Sequence, residues 1–165
     1  MGKASTVVYA GTFDPVTFGH IDTMQRALSI FDRMIVAVAR SEVKAPLFSL
    51  EDRVAMVREA VAGRPNIEVE GFDGLLVEYL KSKGIYVVLR GLRAYSDFEH
   101  EFQLALTNRK LCGDIRNIFM MPSEEYVHVS SSMVKEMASV GGDVSRFVPP
   151  EAVKYVRKAY ASKGD

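Results

Sequence analysis

Short runs of apolar and β-branched residues recur along the chain, separated by longer stretches in which apolar residues have helical spacing. These runs are too uniformly apolar for strands with one face in water, and they are typical of strands buried on both faces of a parallel sheet. The pattern therefore predicts five strands, at Thr6–Ala10, Met34–Ala39, Ile67–Val69, Ile85–Leu89 and Ile118–Met121.

The helical stretches between these strands carry capping residues at their ends. Ser49 suits an N-cap, Gly84 suits the C-terminal end of a helix, and Ser96 with Glu99 has the spacing of a capping box. Proline in the first turn favours a closing helix at about 150–161. The other predicted helices are about Gly19–Ile30, one that begins after Ser49, Leu75–Lys83, and Ser96 to about Cys112.

The alternation of strands and helices predicts an α/β fold. We expect a Rossmann-like, doubly wound, five-stranded parallel sheet with helices on both faces. No repeat, low-complexity tract or long linker interrupts the pattern, so residues 1–165 are predicted to form a single domain. Ligands of such folds bind at the carboxyl ends of the strands, and the loops that follow strands are therefore where chemistry is expected.

Charge and cysteine content restrict the classes of partner. The 165 residues include 21 basic and 21 acidic side chains, so no global charge favours nucleic acid or an anionic membrane as a partner. No apolar run reaches the length that spans a bilayer, and Met1–Val8 lacks the apolar core of a signal peptide. Cys112 is the single cysteine, which rules out an intrachain disulfide and favours a cytoplasmic location.

The loop after the first strand has the features of a phosphate site. It reads Gly11-Thr12-Phe13-Asp14-Pro15 and leads through Gly19-His20 into a helix. Glycine allows close approach to a ligand, and a helix N-terminus offers free N–H groups and a positive dipole end. Gly-His alone is more often part of a tight turn with a surface histidine, but the whole run directly after a strand favours phosphate binding.

A second cluster, Arg90-Gly91-Leu92-Arg93, follows the fourth predicted strand and should face the same crevice. Two arginines around a glycine can clamp phosphates, although a solvated basic loop is an equal alternative when the cluster is taken alone. Glu101 and Asn108 are seven residues apart and share a helix face. They can reach a nucleotide from that face or simply lie at the surface.

A third cluster, Ser130-Ser131-Ser132, opens a further helical pattern. Serines at such a position are usually only caps, and the functional alternative is a second phosphate-binding helix N-terminus. Lys44 lies in the loop after the second strand, where a lysine is ordinarily solvated. His100 and His128 have no motif around them and are interpreted as structural or surface residues.

Together, these motifs resemble those of the nucleotidyltransferase superfamily that carries the (His or Thr)-x-Gly-His motif, here Thr17-Phe18-Gly19-His20. The sequence is more closely similar to the family of bacterial phosphopantetheine adenylyltransferases. The resemblance includes the Arg90–Arg93 cluster and the run from Ser130 to Glu136, and it extends from about Val7 to Val148 in the same order. The chain departs from the family pattern at Ala10, Gly74 and Leu76.

The resemblance implies a role for each matching residue. It makes His20, Thr12, Lys44 and Arg90 the catalytic residues. ATP would be bound by Thr12, Phe13, His20, Gly91, Leu92, Arg93, Glu101, Tyr126, Val127, His128, Val129, Ser130, Ser131 and Ser132. The acceptor would be bound by Thr12, Lys44, Leu76, Arg90 and Asn108.

The activity that the resemblance implies is transfer of the adenylyl group of ATP to 4'-phosphopantetheine by direct in-line displacement, giving dephospho-coenzyme A and pyrophosphate. Mg²⁺ would be delivered with ATP. A homohexamer and feedback inhibition by coenzyme A are also implied.

Other activities remain open at this point. The main alternative is adenylyl transfer to nicotinamide mononucleotide, and cytidylyl transfer to an alcohol phosphate is less favoured. A fragment of a class I aminoacyl-tRNA synthetase would need an anticodon domain and basic charge that this chain lacks. A non-catalytic nucleotide sensor would be expected to have lost His20 or the arginines.

Overall fold

The computed structural model describes residues 5–41 and 45–161. Its centre is a parallel sheet of five strands in the order β3-β2-β1-β4-β5. The α/β fold with a Rossmann-like five-stranded parallel sheet is therefore confirmed. The strands are β1 (Thr6–Gly11), β2 (Arg33–Ala39), β3 (Ile67–Phe72), β4 (Val87–Gly91) and β5 (Arg116–Met120).

Six helices are described, and most of their ends are where the capping residues predict them. The hydroxyl oxygen of Ser49 accepts the Asp52 backbone N–H at 3.0 Å. Gly84 ends a helix with a left-handed backbone at φ 65°. The helices are α1 (Phe18–Ala27), α2 (Leu50–Ala60), α3 (Leu76–Lys83), α4 (Tyr95–Leu111), α5 (Ser131–Ser139) and α6 (Pro150–Ala161).

The predicted start of α4 is wrong. Ala94 is the N-cap, so the helix begins at Tyr95 and Ser96 lies within its first turn. The Asp97 carboxylate accepts the backbone N–H of Arg93 and its side-chain Nε–H, each at 3.1 Å. This carboxylate therefore satisfies the backbone donor of the residue before the N-cap.

Burial on both faces is confirmed for the central strands and is wrong for the outer ones. Within β1, Val7 and Val8 are both fully buried, and they contribute to different core layers. Along β3, by contrast, only Val69 and Phe72 are buried while Glu68 and Gly71 are exposed, and β5 has an exposed Arg116. The two strands form the sheet edges, where each has a neighbour on one side only.

Helices cover the two faces unequally. Buried residues of α1, α2, α5 and α6 pack on one face, in a core with Val7, Tyr9 and Val36. On the other face, residues of α3 pack against Val8 and Ile35. Within the described ranges, no helix is long and apolar enough to cross a membrane.

Candidate active site

The direction in which strands are added to the sheet reverses between β1 and β4. After β1 the chain adds β2 and β3 on one side, whereas β4 and β5 are added on the other side. Doubly wound sheets bind ligands at such a reversal, outside the carboxyl ends of the strands. A cleft of about 670 Å³ opens there, between the loops that leave β1 and β4 and the start of α5. A shallower depression of about 830 Å³ borders β3 and contains none of the predicted site residues.

Most of the predicted site residues line this one cleft. They are Thr12, Phe13, His20, Leu76, Arg90, Gly91, Arg93, Glu101, Asn108, Val129, Ser130, Ser131 and Ser132. Leu92, Tyr126, Val127 and His128 are not among the lining residues, and Lys44 lies outside the described residues. His100, which we interpreted as structural or surface, also borders the cleft.

The loop after β1 is held in an unusual backbone conformation. Phe13 has φ 50°, in the left-handed region that residues with side chains rarely adopt, and it is buried. Its ring contacts that of His20 edge-on, with the centroids 4.9 Å apart. At Gly19 a Cβ would make only ordinary van der Waals contact, 3.5 Å from the carbonyl oxygen of Tyr126, so space alone does not require glycine there.

His20 is fixed in one tautomer by the cap of α1. Its Nδ1 accepts the backbone N–H of Thr17 at 3.0 Å, while the Thr17 hydroxyl accepts the backbone N–H of His20. Because Nδ1 accepts, a neutral imidazole carries its proton on Nε2, which is then the donor available to a ligand. Burial, together with the positive charges of Arg93 and Arg90, lowers the pKa of His20 to about 4. The side chain is therefore a neutral donor at pH 7.

Arg90 reaches from β4 to α4 and to β1. Its Nε and Nη2 donate to the two carboxylate oxygens of Glu101, both at 2.6 Å, and its Nη1 donates to the Ala10 carbonyl at 2.5 Å. Burial alone would lower the pKa of Arg90, but the Glu101 carboxylate outweighs it and the pKa is raised. The guanidinium therefore stays charged, with its plane oriented by Glu101.

The serines at the start of α5 have structural partners. The hydroxyl of Ser130 accepts the backbone N–H of Met133 at 3.0 Å, as an N-cap does. The hydroxyl of Ser131 donates to the Pro15 carbonyl at 2.8 Å and so ties α5 to the loop after β1. Ser132 is exposed on the cleft. The capping interpretation is confirmed for Ser130, and all three serines border the cleft, where phosphate binding by this helix N-terminus stays a prediction.

Sequence reasoning missed two charged residues that organise the cleft. The buried Asp14 carboxylate accepts the backbone N–H groups of Leu47 and Phe48, at 2.9 and 3.0 Å, and pairs with Lys135 at 2.7 Å. Arg53, on α2, is also buried. The one signal in the sequence is that Arg53 occupies a core-facing position among the apolar residues of its helix.

Comparison with known proteins gives consistent matches over most of the chain. A family model described as cytidylyltransferase-like matches residues 8–137. A phosphopantetheine adenylyltransferase of Alkalilimnicola ehrlichii is 50% identical over 160 residues, which cover 96% of this chain and 92% of the relative. Relatives with the same name, from Thiobacillus denitrificans and Methylococcus capsulatus, are 55% and 52% identical. The first alignment covers 88% of this chain and 91% of the relative, and the second covers 96% and 98%.

Proposed function

Because this chain belongs to the cytidylyltransferase-like family, and within it to the phosphopantetheine adenylyltransferases, we propose that it transfers the adenylyl group of ATP to 4'-phosphopantetheine. The products are dephospho-coenzyme A and pyrophosphate. The strongest structural support is that Thr12, His20, Arg90 and Arg93 converge on one cleft at the reversal of the sheet. These side chains donate hydrogen bonds or carry positive charge, as phosphate ligands require.

The chemistry that fits this cleft is a single displacement. A phosphate oxygen of the acceptor attacks the α-phosphorus of ATP, a new P–O bond forms, and the bond to the departing pyrophosphate breaks. The acceptor phosphate is largely a dianion near neutral pH, so no general base has to remove a proton. Catalysis then depends on positioning and on stabilising the charge that redistributes over the α-phosphate oxygens.

Each predicted site residue has a distinct part in this scheme. His20 donates from Nε2–H to an α-phosphate oxygen, and its lowered pKa keeps it a neutral donor rather than a titrating acid. Arg90, with Lys44 and Thr12, aligns the acceptor phosphate. Gly91, Arg93 and the start of α5 bind the nucleotide. Inversion at the α-phosphorus follows from a single displacement, and an adenylylated enzyme would contradict it.

Mg²⁺ is proposed to arrive with ATP and to neutralise part of the triphosphate charge. The carboxylates of Asp14, Asp97 and Glu101 line the cleft, and each is already paired with a lysine or an arginine. No cluster of three or more potential metal-binding side chains occurs in the described ranges. These residues suit a metal held by phosphate oxygens and water. Calorimetry with MgCl₂ and no nucleotide should then give no tight site.

We also propose that the chain works in the cytoplasm as a homohexamer and that coenzyme A inhibits it. These proposals come from the family resemblance. One structural feature supports assembly, because α4 carries exposed apolar side chains at Phe98, Phe102 and Leu106. Their spacing of four residues puts them on one side of the helix.

The experiment that tests the activity is a pyrophosphate-release assay with MgATP and a panel of acceptors. The panel contains 4'-phosphopantetheine, pantetheine without its phosphate and nicotinamide mononucleotide, and a parallel series replaces ATP with CTP. Release that requires both ATP and 4'-phosphopantetheine is expected. Release with nicotinamide mononucleotide and none with 4'-phosphopantetheine would overturn the assignment.

A further inference from the structure

Arg53 is a buried cation that the proposed chemistry does not use. Only 1% of its surface is exposed, and its neighbours on α2, such as Met56 and Val57, lie in the hydrophobic core. Burying a guanidinium is costly unless its donors are satisfied. An apolar side chain would fill this position at a lower free-energy cost of burial, so the presence of a charge here needs a specific explanation.

Four backbone carbonyl groups, rather than a carboxylate, satisfy the guanidinium. Its Nη1 donates to the Thr12 and Ala39 carbonyls at 2.8 and 2.7 Å, and its Nη2 donates to the Arg40 carbonyl at 3.1 Å. Its Nε donates to the Phe48 carbonyl, also at 3.1 Å. The fixed fork of an arginine can reach several acceptors at once, which the single ammonium of a lysine cannot reproduce.

Two of the four acceptors lie just beyond the point where β1 and β2 stop pairing. Pairing between β1 and β2 ends at Gly11 with Val38. Immediately beyond that pair, Arg53 connects the two segments by donating to the carbonyls of Thr12 and Ala39. One side chain thus fixes the position of the loop after β1 relative to the end of β2.

The loop that Arg53 holds contains the strained residue of the site. The Thr12 carbonyl belongs to the peptide group that precedes Phe13, whose backbone is left-handed at φ 50°. Such a conformation persists only when its surroundings determine it. The Phe13 ring in turn contacts His20, so the orientation of this peptide group sets one of the ring contacts of the His20 imidazole, beside that of Tyr9.

We propose that Arg53 is a positioning residue for the adenylyl transfer. It fixes the orientation of the Thr12–Phe13 peptide group and thereby the placement of Thr12 and His20 at the reacting phosphates. The expected effect of Arg53 on the reaction rate rests on the proposed function. The structural consequence, the fixed contact between Phe13 and His20, is independent of what the cleft binds.

Arg58 provides a matched control on the same helix. Its Nε and Nη2 both donate to the Val69 carbonyl on β3, at 3.1 and 2.9 Å, and it is not among the residues that line the cleft. Replacing Arg58 with lysine removes the same type of contact from α2 at a distance from the chemistry. The comparison therefore separates loss of position from loss of stability.

The test compares Arg53→Lys and Arg58→Lys with the wild type in the pyrophosphate-release assay, with urea unfolding measured for each. A misplacement of about 1 Å can cost on the order of a hundredfold in rate. We expect Arg53→Lys to lose about ten- to a hundredfold in kcat at temperatures where it is fully folded, with a much smaller change in KM for ATP. Arg58→Lys should lose stability and keep its kcat within about twofold.

A second readout does not depend on activity. In the Arg53 variant the NMR signal of the His20 imidazole should shift, because the adjacent Phe13 ring moves, whereas the Arg58 variant should keep the wild-type signal. If Arg53→Lys does not fold, an ester in place of the Thr12–Phe13 peptide weakens the carbonyl acceptor and leaves Arg53 intact, and it should reduce kcat in the same way.

The outcomes separate the two proposals. An inactive wild type would reject the proposed function, and the His20 signal would still report whether Arg53 positions the loop. An active wild type, together with an Arg53→Lys or ester protein that has wild-type kcat and an unshifted His20 signal, would reject the positioning role alone.

Discussion

At the scale of single residues, His20 combines a cap and a donor in one side chain. We expect His20→Ala to lower kcat on the order of a hundred- to a thousandfold, the usual loss for one donor to transition-state charge. The same change removes the acceptor for the Thr17 N–H and should cost about 1 kcal/mol of stability. Steady-state kinetics and urea unfolding measure the two effects separately.

His20→Gln is the matched control, since glutamine is a common partner at this position of a capping box. Its side-chain oxygen can accept the Thr17 N–H, so stability should recover. The rate should stay low because the amide donor does not occupy the place of Nε2–H. A glutamine variant with wild-type kcat would show that His20 acts only through the helix cap.

The pKa of His20 also predicts a pH dependence of folding. An unfolded chain binds a proton at this histidine below about pH 6.5, whereas the folded protein holds it neutral until about pH 4. The unfolded state therefore binds more protons in that window, and the free energy of unfolding should fall as the pH decreases from about 6.5 to 4. Above pH 6.5 the histidine contributes no pH dependence.

Urea unfolding at pH 7 and pH 5 measures this effect. Other groups titrate over the same range, so the informative quantity is the difference between wild type and His20→Gln in the stability lost between the two pH values. The wild type should lose more. An equal loss in both proteins would mean that the folded state does not hold His20 neutral.

What the sequence indicates about individual residues depends on whether their role is local. The Gly-Thr and Gly-His runs are contiguous, so the placement of Thr12 and His20 on one cleft was predictable. Asp14 accepts from backbone groups 33 and 34 residues away, and Arg53 donates to carbonyl groups that lie between 5 and 41 residues away. Nothing in their immediate neighbours indicates those acceptors, and only a fold with the correct register brings them together.

At the scale of elements, two helix caps of the same type should differ in their functional effect. Ser49 and Ser130 each accept a backbone N–H at 3.0 Å, and replacing either with alanine should cost about 1 kcal/mol. Only Ser130 borders the cleft, so only Ser130→Ala should also raise KM for ATP. Equal KM values in both variants would limit Ser130 to capping.

The elements themselves were largely predictable because apolar spacing and caps agree. Ser49, Gly84 and Pro150 act locally, and the helix ends that they predict are correct. The start of α4 was not predictable from the Ser96 capping-box spacing, because Asp97 turns back to the Arg93 backbone instead. The burial of the edge strands was overestimated, because a short apolar run does not show whether the strand has one neighbouring strand in the sheet or two.

At the scale of the whole molecule, the exposed apolar side chains of α4 bear on assembly. If Phe98, Phe102 and Leu106 contact another subunit, Leu106→Glu should reduce the sedimentation coefficient by placing a charge in that contact. Ile30→Glu is the control, because Ile30 is 63% exposed and lies outside α4. Unchanged sedimentation of Leu106→Glu, measured alongside the wild type, would mean that α4 does not mediate assembly.

The hydrogen bonds of Asp14 to the segment before α2 have a consequence for amide hydrogen exchange. Backbone amides in loops normally exchange quickly, because opening them costs little free energy. The N–H groups of Leu47 and Phe48 instead donate to a buried carboxylate that Lys135 also pairs with. These two amides should exchange as slowly as those of a packed helix, although they lie outside any helix or strand, and Asp14→Asn should accelerate their exchange.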